Sequence, residues 1–265
     1  MLRRTKGEAA TDLPEKQEVV ASIVLGDSQA DLFETIRLST EKAVRDALSN
    51  KGLAPAQFQI LQALTRLRQV CCDPRLLPAT NVGILPSARL LASSAKLDWL
   101  METLPRMLSE GRRVLLFSQF TSMLTLIEEA LAERSIEWAT LTGQLRARDA
   151  IINRFTSGKI NFFLISLKAG GVGLNLTQAD TVIHFDPWWN PAAELQATDR
   201  AHRIGQTQRV MVYKLVTQGT IEERILALQE RKAALAESLC GGDDARKEPR
   251  FTENDLAALL GPLTS

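Results

Sequence analysis

The chain has 265 residues, 45% of them hydrophobic and 24% charged, enough to bury a sizeable core in one large or two small domains. With 32 Lys and Arg against 31 Asp and Glu, its net charge of +1 excludes a histone-like protein that coats nucleic acid nonspecifically, although not a local basic groove. Residues 111–218 carry 12 basic and 9 acidic side chains, and residues 219–265 carry 6 and 9, so the middle is the more basic part.

Residues 1–90 read as a helical extension. Helical patterns cover 28–48 and 56–70, broken by Pro14, Pro55, Pro74, Pro78 and Pro86, and strand alternation is confined to VVASIVL at 19–25. From residue 91 to 218 the pattern alternates. Leu97, Leu100, Leu104 and Leu108 form a helical stripe ended by Gly111, and the apolar run VLLF at 114–117 follows as a buried strand. Next come a helix with Leu124, Ile127 and Leu131 on one face, the strand 137–142, a helix over 146–157 and the strand 160–165. Glycines 170, 171 and 173 follow, then the strand TVIHF at 181–185, a helix after Pro191 and the strand 210–216. Five apolar runs joined by helices predict a parallel sheet covered on both faces, a three-layer α/β domain, because parallel neighbours need crossover connections.

The helix over 220–239 carries Ile221, Ile225, Leu228, Leu235 and Leu239 on one face, with Thr220 as its N-cap and Glu222 and Glu223 at its positive end. Residues 241–265 read as a polar linker, 241–250, and a short helix capped by Thr252; the preceding segment is 219–240. Cys71, Cys72 and Cys240 are too few for a disulfide framework or a four-cysteine zinc site, so no metal is expected and a reducing compartment is. No run nears the roughly 18 apolar residues of a membrane span, and the first 20 residues lack a signal-peptide core.

Three segments carry chemistry. In QATDRAHRIGQ, 196–206, Arg200 and Arg203 are three apart, a spacing that on a helix turns both guanidiniums toward one polyanion. A solvated basic helix face with Asp199 as local partner is the competing reading. In SLKAGGVGLNL, 166–176, a glycine loop after a strand lets backbone amides approach a phosphate, with Ser166 and Lys168 as further donors; a plain turn is the alternative. A dinucleotide fingerprint fails there, because its third glycine would fall on Leu176. In FDPWWNP, 185–191, one tryptophan packs inward and the other faces a ligand such as a nucleic-acid backbone, or both are core. A phosphate-binding loop and an acidic box after an apolar strand are missing: Gly158 and Lys159 precede Ile160, and Asp243 and Asp244 sit in the linker. Arginines suited to a γ-phosphate without such a loop imply a nucleotide held by another lobe.

VLLFSQF (114–120), ISLKAGGVGLNLTQADTVIHFDPWWNP (165–191) and QATDRAHRIGQ (196–206) resemble, in order and spacing, the later helicase motifs of Swi/Snf-type ATPases of superfamily 2, nearest to the bacterial HepA/RapA-like group. LRRTK (2–6), LTRLRQVCCDP (64–74) and SAKLDWL (94–100) resemble that family's passage between its two motor lobes, so the likeness covers nearly the whole chain. It implies a RecA-like C-terminal lobe with an N-terminal helical protrusion, a first lobe preceding Met1, and a brace helix at 220–239. ATP and Mg2+ would be shared with that first lobe, and the expected partners are double-stranded DNA and RNA polymerase or another DNA-bound complex. The expected location is the bacterial cytoplasm and nucleoid, or a eukaryotic nucleus.

Carried over by position, the resemblance makes Arg200 and Arg203 the catalytic arginine fingers and sets Gln196, Gly173 and Asn175 beside the nucleotide. Ser118, Gln119, Ser166, Lys168 and Gly171 fall on DNA-phosphate contacts, and Trp189 on the tryptophan beside the strand. LTGQLRARD, 141–149, departs from the family: Thr142 and Gln144 replace an acidic residue and a Ser or Thr, leaving Arg146 and Arg148 to serve DNA there. The alternative is a stand-alone DNA- or protein-binding module without ATPase activity.

Overall fold

A computed structural model describes residues 13–51, 53–78, 92–143, 148–169, 174–238, 255 and 259–262. In chain order the elements are β1 (Lys16–Ile23), α1 (Asp27–Lys51), α2 (Leu53–Cys72), α3 (Ala95–Ser109), β2 (Val114–Ser118), α4 (Thr121–Glu133) and β3 (Ala139–Leu141). There follow α5 (Arg148–Thr156), β4 (Phe162–Ser166), β5 (Thr181–His184), α6 (Pro191–Thr198), β6 (Val210–Thr217) and α7 (Ile221–Ser238). The strands form one sheet in the order β1-β6-β5-β2-β4-β3. β2 pairs in parallel with β4 and β5, β3 with β4, and β5 with β6. Val210 N–H donates to Glu15 C=O and Gln218 N–H to Ile23 C=O, so β1 and β6 also rise together.

The sheet has six strands where the apolar runs predicted five. β1 is an edge strand with Lys16 and Glu18 on it and a mostly solvated pattern, so it lacks the continuous apolar signal that burial on both faces gives β2, β4 and β5.

The chain divides into two units. The first comprises Met1–Ala21, Met101–Phe185 and Ala192–Lys214. Alternate residues of its strands, Leu115 and Phe117, Phe163 and Ile165, Val182 and Val212, build one core with Phe155 of α5 and Ala197 of α6. Parallel crossovers are right-handed, so the connection from β2 toward β3 and those running back toward β6 cover opposite faces. That sets α4, with Met123, Leu124, Ile127 and Leu131 buried, against the face that α5 and α6 leave. The result is the expected three-layer, RecA-like arrangement.

The second unit comprises Ser22–Leu100, Asp186–Pro191 and Leu215–Ser265. Leu32, Phe33 and Ile36 of α1, Ile60, Leu64 and Leu67 of α2, and Ile221 and Ile225 of α7 share its core. A polar knot lies beside them. Lys96 and Glu222 are both fully buried and meet at 2.6 Å; the Lys96 ammonium also donates to Leu215 C=O at 3.0 Å. Glu222 accepts from Thr217 N–H and its hydroxyl, both at 2.9 Å. Burial disfavours the Lys96 charge, but Glu222 outweighs it and raises the pKa above the usual lysine value. Thr220 caps α7 as expected, its hydroxyl accepting from Glu222 N–H at 3.2 Å. Cys71 lies in the same knot, its thiol pushed up to about 12 by burial and then by Glu222, so it stays neutral.

The Gly111 stop of α3 is a Schellman turn: Arg112 N–H donates to Met107 C=O and Gly111 N–H to Leu108 C=O, with Gly111 at φ 77°. The polar linker, Thr252 and Cys240 lie outside the described residues.

Candidate functional site

Open parallel sheets bind ligands at the carboxyl ends of strands where successive connections leave in opposite directions. Here β2 connects toward β3 and β5 toward β6, so that point falls between β2 and β5, at Phe117–Ser118 and His184–Phe185. Phe117 and His184 are partners in register, and their rings stack with centroids 5.8 Å apart. The guanidinium carbon of Arg200 lies 5.6 Å from the same Phe117 ring.

The expectation that Arg200 and Arg203 share a helical face is corrected. α6 ends at Thr198, whose carbonyl accepts from both Ala201 N–H and His202 N–H at 3.0 Å, and the chain turns. Arg200 goes inward and is 7% exposed, whereas Arg203 is exposed. Gly205, at φ 102°, permits the return that follows.

Sequence reasoning missed what holds this turn. Gln206 is buried, and its amide donates to Ala179 C=O at 2.7 Å and Ala201 C=O at 3.1 Å, while its carbonyl oxygen accepts from Thr207 N–H and Gln208 N–H at 2.9 Å. Three of these bonds close the loop that carries Arg203 on itself, and the one to Ala179 ties it to the 176–179 turn. Leu176 N–H donates to Arg200 C=O at 3.0 Å, tying the end of the glycine-loop segment to the arginine. Asn175 is exposed between the buried Leu174 and Leu176, and Gln196 is exposed on α6.

The Arg200 side chain has an unusual environment. Its Nη1 is buried and has no hydrogen-bond partner among the described residues. Burial, with the nearby charge of Arg148, lowers its pKa to about 10. A guanidinium held on an aromatic ring, with a buried donor that no described residue uses, has the chemistry to donate to an anionic oxygen. Among the described residues no group of three His, Cys, Asp or Glu is placed to hold a metal ion.

The expected DNA contacts are less uniform. Ser118 and Ser166 are partners in register at the strand ends, and both are buried. The Ser118 hydroxyl accepts from Phe120 N–H at 3.1 Å, closing the turn after β2, and its carbonyl accepts from Leu167 N–H of the neighbouring chain segment at 3.0 Å. Gln119 is half-buried and Lys168 exposed. Arg148 opens α5, at the same carboxyl edge as β3 and β4, where its charge acts on Arg200. Gly171, Gly173 and Arg146 lie outside the described residues.

Trp189 belongs to the second unit. It packs partly against that unit's core, with the Arg68 guanidinium carbon 5.1 Å from its ring and 5.8 Å from that of Trp188. Arg68 is 1% exposed and donates to Pro187 C=O, so both indoles, each half-buried, are engaged by one buried cation.

The family model described as helicase conserved C-terminal domain matches residues 95–205. The CHD3-type chromatin-remodeling factor PICKLE of Arabidopsis thaliana is 36% identical over 249 residues, covering 91% of this chain and 18% of that protein; the chain thus spans under a fifth of that relative. The solved Sulfolobus solfataricus SWI2/SNF2 ATPase C-terminal domain is 29% identical, covering 95% of this chain and all of that one, with a TM-score of 0.70. The ATPase core from the same organism in complex with dsDNA is 33% identical over 97% of this chain and 53% of that one, with a TM-score of 0.71. The motifs, the sheet and these relatives agree: the chain belongs to the Swi/Snf family of ATPases, as their RecA-like C-terminal helicase lobe.

Proposed function

We propose that the chain is the second motor lobe of an ATP-dependent translocase or remodeller of double-stranded DNA. Arg200 and Arg203 serve as arginine fingers toward ATP held by a first lobe, and Gln196, Asn175 and Gly173 line the nucleotide side. The observation that carries this reading is Arg200 Nη1, buried at the carboxyl edge of the sheet and without a hydrogen-bond partner among the described residues. When bound, ATP with its Mg2+ supplies the phosphoryl group whose developing charge the guanidiniums stabilise. The exposed Lys168, with Gln119, Arg148 and the glycine loop at Gly171, grips DNA phosphates; the exposure of Lys168 and the shared carboxyl edge support this. Such contacts carry no sequence information, so DNA is held through its backbone and released by salt. Closure of the two lobes on nucleotide then couples turnover to a step along the duplex.

The test is ATP turnover with double-stranded DNA. The chain alone is expected to show none, and the chain joined to a first lobe of the same family, carrying a Walker A lysine, is expected to turn over. DNA-stimulated hydrolysis by the chain alone would overturn the reading.

A further inference from the structure

The inner face of α6 is Glu194, Ala197 and Thr198, so only one of its three buried side chains is apolar. Apolar burial scales with area, and an alanine gives little of it, so directional polar contacts set where this helix sits. One is the approach of Glu194 to Lys214 of β6 at 3.9 Å. Another is a 2.9 Å hydrogen bond between His184 Nε2 and Thr198 Oγ1.

His184 is 1% exposed on a strand buried throughout. Its Nδ1 has no partner among the described residues, and desolvation, then the Lys214 charge, lower its pKa to about 3, so the ring is neutral at ordinary pH. The arrangement leaving least unsatisfied has Nε2–H donating to Thr198 and a bare acceptor at Nδ1, since an orphan N–H costs more than an orphan lone pair. A half-satisfied imidazole in a core is costly relative to an apolar ring of the same shape. What it provides is one directional bond to the last residue of α6, two residues before Arg200, and a stacking surface for Phe117, on which the Arg200 guanidinium lies.

We propose that His184 is a positioning residue: through Thr198 it fixes the backbone turn from which Arg200 departs, and through Phe117 it fixes the surface on which the guanidinium rests. The proposal rests on the role of Arg200 as an arginine finger. It assigns a function to a side chain that touches neither nucleotide nor DNA.

The experiment uses the whole chain with its arginines labelled with 15N, and reads solvent exchange of the Arg200 Nε–Hε group. Thr198→Val removes the hydroxyl with nearly the same shape. Exchange is expected to accelerate about five- to tenfold, as loss of one buried hydrogen bond implies, with the unfolding midpoint lowered but unfolding still a single cooperative transition. Thr198→Ser is expected to restore the native rate. If Thr198→Val does not fold, His184→Phe keeps the stack and removes the bond, and it is read in the same way. Native exchange in both bond-deleting variants overturns the proposal. In the chain joined to a first lobe, Thr198→Val is expected to lower kcat by a similar factor with dsDNA affinity unchanged. Faster Arg200 exchange with undiminished turnover supports the positioning and overturns instead the arginine-finger role of Arg200.

Discussion

Arg200→Ala, in the chain joined to a first lobe, is expected to lower kcat for ATP by about 10³–10⁵ and to leave dsDNA retention within about threefold. The magnitude follows from where the guanidinium sits. In water a cation is screened, but Arg200 is 7% exposed and lies against Phe117 with an Nη1 that has no partner among the described residues, so charge developing on a phosphoryl oxygen meets it with little screening. The loss falls on kcat because the interaction strengthens only as that charge develops, and KM for ATP changes little. Arg200→Lys retains charge but not the planar fork, and it is expected to recover only a small part of the rate. Steady-state turnover and a salt titration of DNA retention on the same preparations check both halves of the expectation. Arg203 differs, since it is exposed, so its contribution depends on the loop that Gln206 holds.

Glu222→Gln is the change expected to cost most stability, about 3–5 kcal/mol in urea unfolding. The substitution hardly alters shape. It leaves the Lys96 ammonium fully buried with an amide oxygen in place of the carboxylate, and it places amide hydrogens where Thr217 N–H and its hydroxyl now donate. A double variant, Lys96→Met with Glu222→Leu, removes both charges and is expected to recover most of the loss, because an apolar pair of similar volume carries no desolvation penalty. A double variant as unstable as Glu222→Gln would show that the pair's hydrogen bonds, rather than an orphaned charge, account for the cost. The consequence reaches beyond stability. Glu222 is the second residue of α7, bonded to the end of β6 and to α3, so the pair fixes where that helix starts within its unit.

Much of the fold is legible in the sequence because burial on both faces leaves a plain mark. VLLF, FFLI and TVIH are apolar or small throughout apart from one histidine, and each lies in a fully buried strand. The Gly111 stop and the Thr220 cap are legible because each is local backbone chemistry. β1 reads as a strand but not as a member of the sheet, since a solvated edge carries half the apolar signal and its partner β6 lies far along the chain. The end of α6 is hidden for a different reason. DRAHR has nothing against a helix in it, and what ends the helix there is tertiary: the inward turn of Arg200 onto Phe117 and the four bonds of Gln206. The motif letters thus locate the arginines but not their opposite exposures. Ser118 also bears a local bond that its position in the motif does not announce, since a hydroxyl at a strand end serves the turn as readily as a ligand. Lys96 and Glu222 lie 126 residues apart, and His184 reads as one polar letter in an apolar strand, so neither partnership leaves a trace in spacing.

If Arg200 of this lobe meets the terminal phosphate of a nucleotide held by another, its side chain must report that nucleotide's state. The most direct measurement is the 15N NMR signal of the Arg200 Nε–Hε group when a first lobe is added, loaded either with ADP or with ADP and aluminium fluoride as a mimic of the transferring phosphoryl group. A shifted, slowly exchanging Arg200 signal is expected with the aluminium fluoride complex, and an unchanged one with ADP alone. An Arg200 signal that is the same in both, while the lobes demonstrably associate and turn over ATP, would contradict the arginine-finger role.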